Sequence, residues 1–395
     1  MNITKIALLS EKYTPDIGGL AISTERLARL LSSAGHAHAV RVFCPSSSLL
    51  PSEKRTLLSS GVSVTRFGAH KRVDDTLVDW FELILEEHKR EPFDILQGYF
   101  LPQAGFVATY AGKYLNIPSV VSIRGNDIER AAFDPSKFSH VMYALQNANA
   151  VTTNASELVK KAQAFIDREI ILIPNGIDTE CFKPMERNEV LAETLGINIA
   201  LAAVPGGEDA ASSHVPVIGF VGELREKKGI KTLLNAYATV NKKQRVALLI
   251  VGEVRQGEDK QNFDEPRLSI PNSQIIVTGY ISHNDLLAYY SLMDIFVHPS
   301  LRDGMPNAVL EAMACGKSVI ATPVGGILDV LEDGKNGVIV DVNDANLLAE
   351  KILELLSNPD KRTILGKNAR QLIMERFTPA KELEANLEVY RKISL

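Results

Sequence analysis

Short apolar runs alternate with helix-length amphipathic stretches along the whole chain, and this alternation restricts the fold more than any single motif. A parallel strand covered by helices on both faces reads as a few consecutive apolar residues. In the first half, Ile6 to Leu9, Val40 to Phe43, Ile95 to Leu96, Val120 to Ile123, Val151 to Thr152 and Ile170 to Ile173 fit that description. Leu20 to Ala34, Asp75 to Lys89 and Phe100 to Leu115 read as helices among them. The second half repeats the pattern at Val217 to Val221, Ala247 to Val251, Ile275 to Thr278, Ile295 to Val297, Val319 to Ala321 and Val338 to Val340. The expected class is therefore α/β, with parallel sheets between helical layers. A chain of 395 residues exceeds one hydrophobic core, so two doubly wound domains with a cleft between them are expected. Leu201 to His214 is small, polar and contains Gly and Pro, as a linker or exposed insertion would be. The expected division is 1–190, a connecting stretch 191–214, 215–380, and a final helix within 381–395 that packs back on the first domain.

Composition excludes several functions. Charged residues make up 23% and the net charge is −5, so there is no electrostatic case for nucleic acid as the ligand. No run of 18 apolar residues occurs, so no membrane-spanning helix is expected. The start, Met1 to Ser10, reads as a buried strand and lacks the basic opening of a signal peptide. The three cysteines Cys44, Cys181 and Cys315 are far apart, which favours neither a disulfide framework nor a zinc site and points to a reducing cytoplasm.

Open α/β sheets bind ligands beyond the carboxyl ends of their strands, where the strand order reverses. The loops that follow strands therefore hold the candidates. Gly18 and Gly19, after Pro15 and Asp16, stand just before a helix. There the backbone can approach a ligand closely, and free N–H groups suit a phosphate. A plain strand-to-helix turn is the alternative. Gly222 to Gly229 (GELREKKG) sets Arg225, Lys227 and Lys228 ahead of another helix, either to neutralise a diphosphate or as a solvated mixed-charge loop. The richest stretch is His298 to Gly326. Pro306 suits a first helical position and Gly316 the residue just past the helix end, with Val309, Leu310 and Met313 on the apolar face. Asp303 and Glu311 stand eight positions apart, and carboxylates there can accept paired hydrogen bonds from vicinal sugar hydroxyls. Gly316-Lys317-Ser318 imitates the end of a phosphate-binding P-loop, but that motif needs Gly where Glu311 stands. No G-x-G-x-x-G follows the first strand, and no D-x-D triplet occurs.

On these motifs the chain resembles the group 1 glycosyltransferases, also called glycosyltransferase family four, whose GT-B fold sets two Rossmann-like domains across a cleft. The resemblance implies that 1–190 is the acceptor side and that 215–380 binds the nucleotide sugar. YTPDIGG, IPNGIDTECFKP (Ile173 to Pro184), the KKG turn and PSLRDGMPNAVLEAMACG occur in the family's order, so the resemblance covers nearly the whole chain. It implies that Gly18 and Gly19 face a donor diphosphate and that Lys228 contacts its phosphates. Glu311 would bind ribose hydroxyls. Asp303, in place of the usual Glu, would hold the transferred sugar with backbone N–H groups around Gly304, Met305 and Asn307, Pro306 having none. Gly279, Tyr280 and Ile281 would read the nucleobase. Two positions depart from the pattern. Glu223 replaces a common Arg, for which Arg225 is the nearest substitute. Arg124-Gly125-Asn126-Asp127 replaces an H-G-x-D segment. A guanidinium stays protonated, so Arg124 would contact donor sugar or phosphate, or else pair with Asp127.

The resemblance further implies retaining transfer of a hexose, best read as glucose, from a UDP-sugar to a hydroxyl acceptor, either a growing polysaccharide or a lipid-linked saccharide. No metal or cofactor is expected, because the D-x-D triplet is lacking and cations can stabilise the leaving phosphate. Lys228, the Gly19 N–H and Arg225 would do so, after closure about Ile173 to Pro184. The expected setting is cytoplasmic, with at most weak peripheral membrane contact. The rivals are an epimerase or phosphorylase of the same fold, a nucleotide-sugar-binding protein without catalysis, and a dinucleotide-dependent oxidoreductase.

Overall fold

The computed structural model describes residues 4–16, 18–33, 38–59, 61–197, 215–271 and 273–394. The expected linker Leu201 to His214 lies outside the described residues, as does Ile17. The chain forms two compact units, Met1–Asn175 together with Pro379–Leu395, and Gly176–Thr378.

The first unit holds an eight-stranded sheet built from β1 (Thr4–Ser10), β2 (His38–Ser46), β3 (Lys54–Ser59), β4 (Val62–Gly68), β5 (Ile95–Tyr99), β6 (Ser119–Ile123), β7 (Ala150–Thr153) and β8 (Ile171–Leu172). Their order is β3-β4-β2-β1-β5-β6-β7-β8, parallel throughout except that β3 pairs antiparallel with β4. Side chains of β1 alternate between faces. Ala7 and Leu9 pack with Phe43, Trp80, Ile84 and Val107, while Ile6 and Leu8 pack with Leu27, Leu31 and Val42. Val389 and Tyr390 complete that second face, so the last helix, Pro379–Ile393, is part of this unit. Arg26 holds Glu382 through two hydrogen bonds of 3.0 and 3.1 Å, and the Tyr390 hydroxyl donates to the Gln97 side chain. The β3–β4 hairpin has no counterpart in the sequence reading. Lys54 to Leu58 are all exposed, so β3 offers no apolar run to detect.

The second unit holds six parallel strands, β9 (Val217–Val221), β10 (Ala247–Val251), β11 (Gln274–Val277), β12 (Ile295–His298), β13 (Ser318–Ala321) and β14 (Val338–Ile339), in the order β11-β10-β9-β12-β13-β14. It begins earlier than residue 190. Ile177, Phe182, Ala192 and Ile197 are buried in its core beside Val217, Phe296 and Met313. Residues 191–194 of the expected linker lie in the helix Glu189–Thr194, whose first turn is capped by the Asn188 side chain accepting from the Leu191 N–H at 3.0 Å.

Strand order reverses between β1 and β5 in the first unit and between β9 and β12 in the second. The loops that leave these strands occupy the two positions where open α/β sheets take ligands.

Candidate functional site

In the second unit the loops after β9 and β12 are locked together at the switch point. The chain leaves β9, makes a short turn of 3₁₀ helix at Glu226–Lys228, and enters the helix Ile230–Lys243 through Gly229. Gly229 has φ +78°, and a Cβ there would collide with the carbonyl of Pro299. The Leu301 N–H donates to the Lys227 carbonyl at 2.9 Å. Gly325, with φ +61°, lies against the Asp303 and Gly304 carbonyls in the same way, and the Gly326 N–H donates to the Gly304 carbonyl at 2.7 Å. Two glycines thus allow three loops to share one small volume.

That packing brings Lys228 and Asp303 into an ion pair, both side chains largely buried. His298, buried at the end of β12, places Nε2 3.0 Å from Asp303 Oδ2 and 3.0 Å from Ser300 Oγ. An ionised carboxylate only accepts, so Nε2 carries the proton, leaving Nδ1 as a buried acceptor without a partner. Burial drives the His298 pKa down despite its bond to Asp303, which keeps the ring neutral. Burial alone would raise the Asp303 carboxyl. Lys228 and the hydrogen bond from His298 outweigh it and hold the group well below the ordinary carboxylate range. Its second oxygen accepts from the Gly304 N–H at 3.0 Å. The outcome is a fixed anion beside a fixed cation, with backbone N–H groups alongside.

Glu311 stands on the helix Asn307–Ala314 with only 3% of its surface exposed. The Tyr290 hydroxyl donates to Glu311 Oε2 at 2.8 Å, and His283 Nδ1 stands 3.9 Å from Oε1. A buried carboxylate held from one side by a tyrosine is oriented, not a surface charge. Pro306 is one residue earlier than expected: it caps the helix, and Asn307 opens it. Gly316 has φ +70° just past the helix end, and the Lys317 N–H reaches back to the Ala312 carbonyl at 3.0 Å. Met305 is buried in the core, Ile281 is partly buried against it, and Tyr280 is 62% exposed. Glu223, at the first departed position, pairs with its nearest substitute, because Arg225 lies 3.3 Å from it.

In the first unit Gly18 has φ +129°, Gly19 opens the helix Gly19–Ser33, and a Cβ at either would meet nothing within 4 Å. Arg124 does not pair with Asp127 through its guanidinium. The Asp127 carboxylate accepts the backbone N–H groups of Arg124, Gly125 and Ile128 at 2.8 to 3.1 Å, closing the turn that follows β6. The guanidinium lies 3.9 Å above the Tyr99 ring and donates to Asn175 Oδ1 at 3.1 Å. Sequence reading missed His298, Ser300 and Tyr290 as supports. Of these, only His298 carried a visible signal, a polar residue closing an apolar strand.

Two family models divide the chain. Glycosyltransferase Family 4 matches residues 17–181, and Glycosyl transferases group 1 matches residues 208–372. The chain belongs to the family-four, group 1 glycosyltransferases. An uncharacterized glycosyltransferase of Methanocaldococcus jannaschii is 26% identical over 230 residues, 58% of this chain and 54% of that protein, so the chain spans about half the length of that relative. The capsular polysaccharide biosynthesis glycosyltransferase CapM of Staphylococcus aureus is 26% identical over 332 residues, 79% of this chain and 81% of CapM. This glycosyltransferase has the GT-B fold. Sucrose-phosphate synthase of Thermosynechococcus elongatus superposes with a TM-score of 0.79 at 22% identity, covering 98% of each chain. Anabaena HepE, solved in complex with UDP-glucose, superposes with a TM-score of 0.77 at 18% identity over 98% of this chain and 99% of that one. No helix among the described residues of this glycosyltransferase is long and apolar enough to cross a membrane.

Proposed function

We propose that this glycosyltransferase transfers a hexose, with glucose the first candidate, from a UDP-sugar to a hydroxyl of a saccharide or lipid-linked saccharide. Transfer would retain the anomeric configuration and need no metal. The observation that carries the reading is the buried Lys228–Asp303–His298 cluster at the second unit's switch point, with Glu311 held nearby in sequence on a buried helix. HepE supports UDP-glucose as the donor, and CapM supports polysaccharide synthesis as the setting.

In this reading Glu311 accepts from the ribose hydroxyls, Asp303 from hydroxyls of the transferred sugar, and Gly279, Tyr280 and Ile281 read the uracil. Breaking the anomeric C–O bond puts negative charge on the departing diphosphate. The Lys228 ammonium has three N–H groups, so it can keep Asp303 and still meet a phosphate oxygen. The Gly18–Gly19 backbone supplies further donors. Removing one such preorganised donor typically costs about 3 kcal/mol in the barrier. The acceptor oxygen attacks on the face the phosphate leaves, and its proton passes to the phosphate oxygen, so bonds and charges balance without a protein base. Arg124 carries a permanent charge and serves binding, not proton transfer. A cytoplasmic setting with weak peripheral membrane contact is compatible with a lipid-linked acceptor.

Isothermal titration of the whole chain with UDP, GDP and ADP, with EDTA throughout, tests this. UDP is expected to bind, and Lys228→Ala or Glu311→Ala to weaken it at least tenfold. Preference for GDP or ADP would remove the uridine assignment. Binding that returns only when metal is added would end the metal-free mechanism.

A further inference from the structure

We propose that Tyr290 is a positioning residue that makes the second unit select ribonucleotides over deoxyribonucleotides, by locking the Glu311 carboxylate towards the vicinal hydroxyls. The inference rests on Glu311 taking those hydroxyls, and adds to that reading the group that sets its specificity.

A glutamate by itself discriminates poorly between a nucleotide with these hydroxyls and one without. Its side chain turns about several bonds, and holding it in one rotamer costs up to about 2 kcal/mol. A loosely held carboxylate also escapes the wrong ligand by swinging to another partner. A buried carboxylate fixed in place has no such escape. A ligand that lacks the hydroxyls then leaves acceptor sites desolvated and unbonded, and that penalty is the source of strong rejection.

The surroundings of Tyr290 supply the fixing. The residue lies on the helix Leu286–Leu292 and is fully buried. Its ring meets Phe182 edge-on at 6.0 Å and Phe296 at a tilt at 5.9 Å. Phe182 comes from the segment that opens the unit and Phe296 from β12, so the ring is held by two separate elements. The hydroxyl stands 2.8 Å from Glu311 Oε2 and 3.2 Å from the Ala308 carbonyl. It has one proton to give, and the carboxylate is both the nearer and the stronger acceptor. Burial, with the Glu311 charge, drives the tyrosine pKa far above its ordinary value, so the hydroxyl stays a donor at any working pH. An ionised carboxylate has about four acceptor sites, enough for the tyrosine and for two vicinal hydroxyls. His283 flanks the other oxygen, with Nδ1 3.9 Å from Oε1, and its ring meets Phe182 at 5.2 Å. Phe182 thus backs both the tyrosine and the histidine that border the carboxylate.

Isothermal titration of the whole chain with UDP and with dideoxy-UDP, which lacks both ribose hydroxyls, tests the assignment. The wild type is expected to prefer UDP by at least about a hundredfold. In Tyr290→Phe, which keeps the ring, UDP should bind about tenfold more weakly while dideoxy-UDP stays within about twofold. A merely structural loss would weaken both ligands alike, and an unchanged ratio would overturn the proposal. A wild type that does not distinguish the two ligands would remove the ribose reading of Glu311 itself, and the proposal with it. The double variant Glu311→Ala/Tyr290→Phe leaves no buried carboxylate without its donor, so it serves where Tyr290→Phe alone folds poorly. It should match Glu311→Ala with both ligands, because Tyr290 acts through Glu311. A further loss of UDP binding in the double variant would overturn the proposal.

Discussion

Burial raises the pKa of three enclosed carboxyls, Asp303, Asp127 and Glu11, and the partners decide the outcome. Asp303 has Lys228 and His298 and stays ionised far below the usual range. Burial raises Asp127 to about 6 against its four backbone hydrogen bonds, and raises Glu11 to about 7 against the Gln103 N–H and the charges of Lys137 and Lys12. A carboxyl whose folded pKa exceeds its unfolded value of about 4.3 binds more protons when folded, so stability falls as pH rises between those values. For Glu11 that window runs from about pH 4 to the folded value of about 7. Glu11→Gln removes the ionisation and keeps the shape. The variant is expected to match the wild type near pH 4 and to exceed it at pH 8 by on the order of 4 kcal/mol. Urea denaturation at both pH values measures this. Equal stability at pH 8 would mean that Glu11 ionises without penalty and is therefore well solvated. His298 is the reverse case, a buried ring kept neutral so that one N–H always faces Asp303.

At the scale of elements, glycines and caps decide how the loops close. Gly229 is required twice over, because its φ of +78° disfavours a side chain and the Pro299 carbonyl occupies the place of a Cβ. Gly229→Ala is expected to cost on the order of 2 kcal/mol from the backbone conformation alone. By displacing Lys228 from Asp303 it should also weaken UDP binding at least tenfold, which denaturation and calorimetry together can read. An alanine variant with wild-type stability and affinity would show that the loops can part freely. The helix bounded by Pro306 and Gly316 was legible to within one residue, because proline and glycine punctuate a helix through local sterics. The β3–β4 hairpin was not, because its edge strand buries almost nothing and its pairing is made across the sheet.

At the scale of the molecule, the two units differ in continuity. Gly176–Thr378 is one unbroken segment, whereas the first unit needs Pro379–Leu395 to cover β1 and β2 with Val389 and Tyr390. A fragment of residues 176–378 is therefore expected to unfold cooperatively and still bind UDP. Residues 1–175 alone should unfold at a lower temperature than in the whole chain, and scanning calorimetry of both fragments decides it. Apolar periodicity by itself determined the α/β class, the two parallel sheets and most strands, because covered parallel strands must be apolar on both faces. The spacing of Asp303, Pro306, Glu311 and Gly316 likewise placed loop, helix start, carboxylate and helix end from local chemistry. Only the tertiary structure decided that the second unit starts at Gly176, since Ile177 and Phe182 are apolar in either setting and their contacts choose the core. It also decided that His298 and Tyr290 support the two carboxylates, and that Arg124 turns from Asp127 to Tyr99 and Asn175. Those choices depend on which loop ends meet at a strand reversal, and no local pattern along the chain encodes such a meeting.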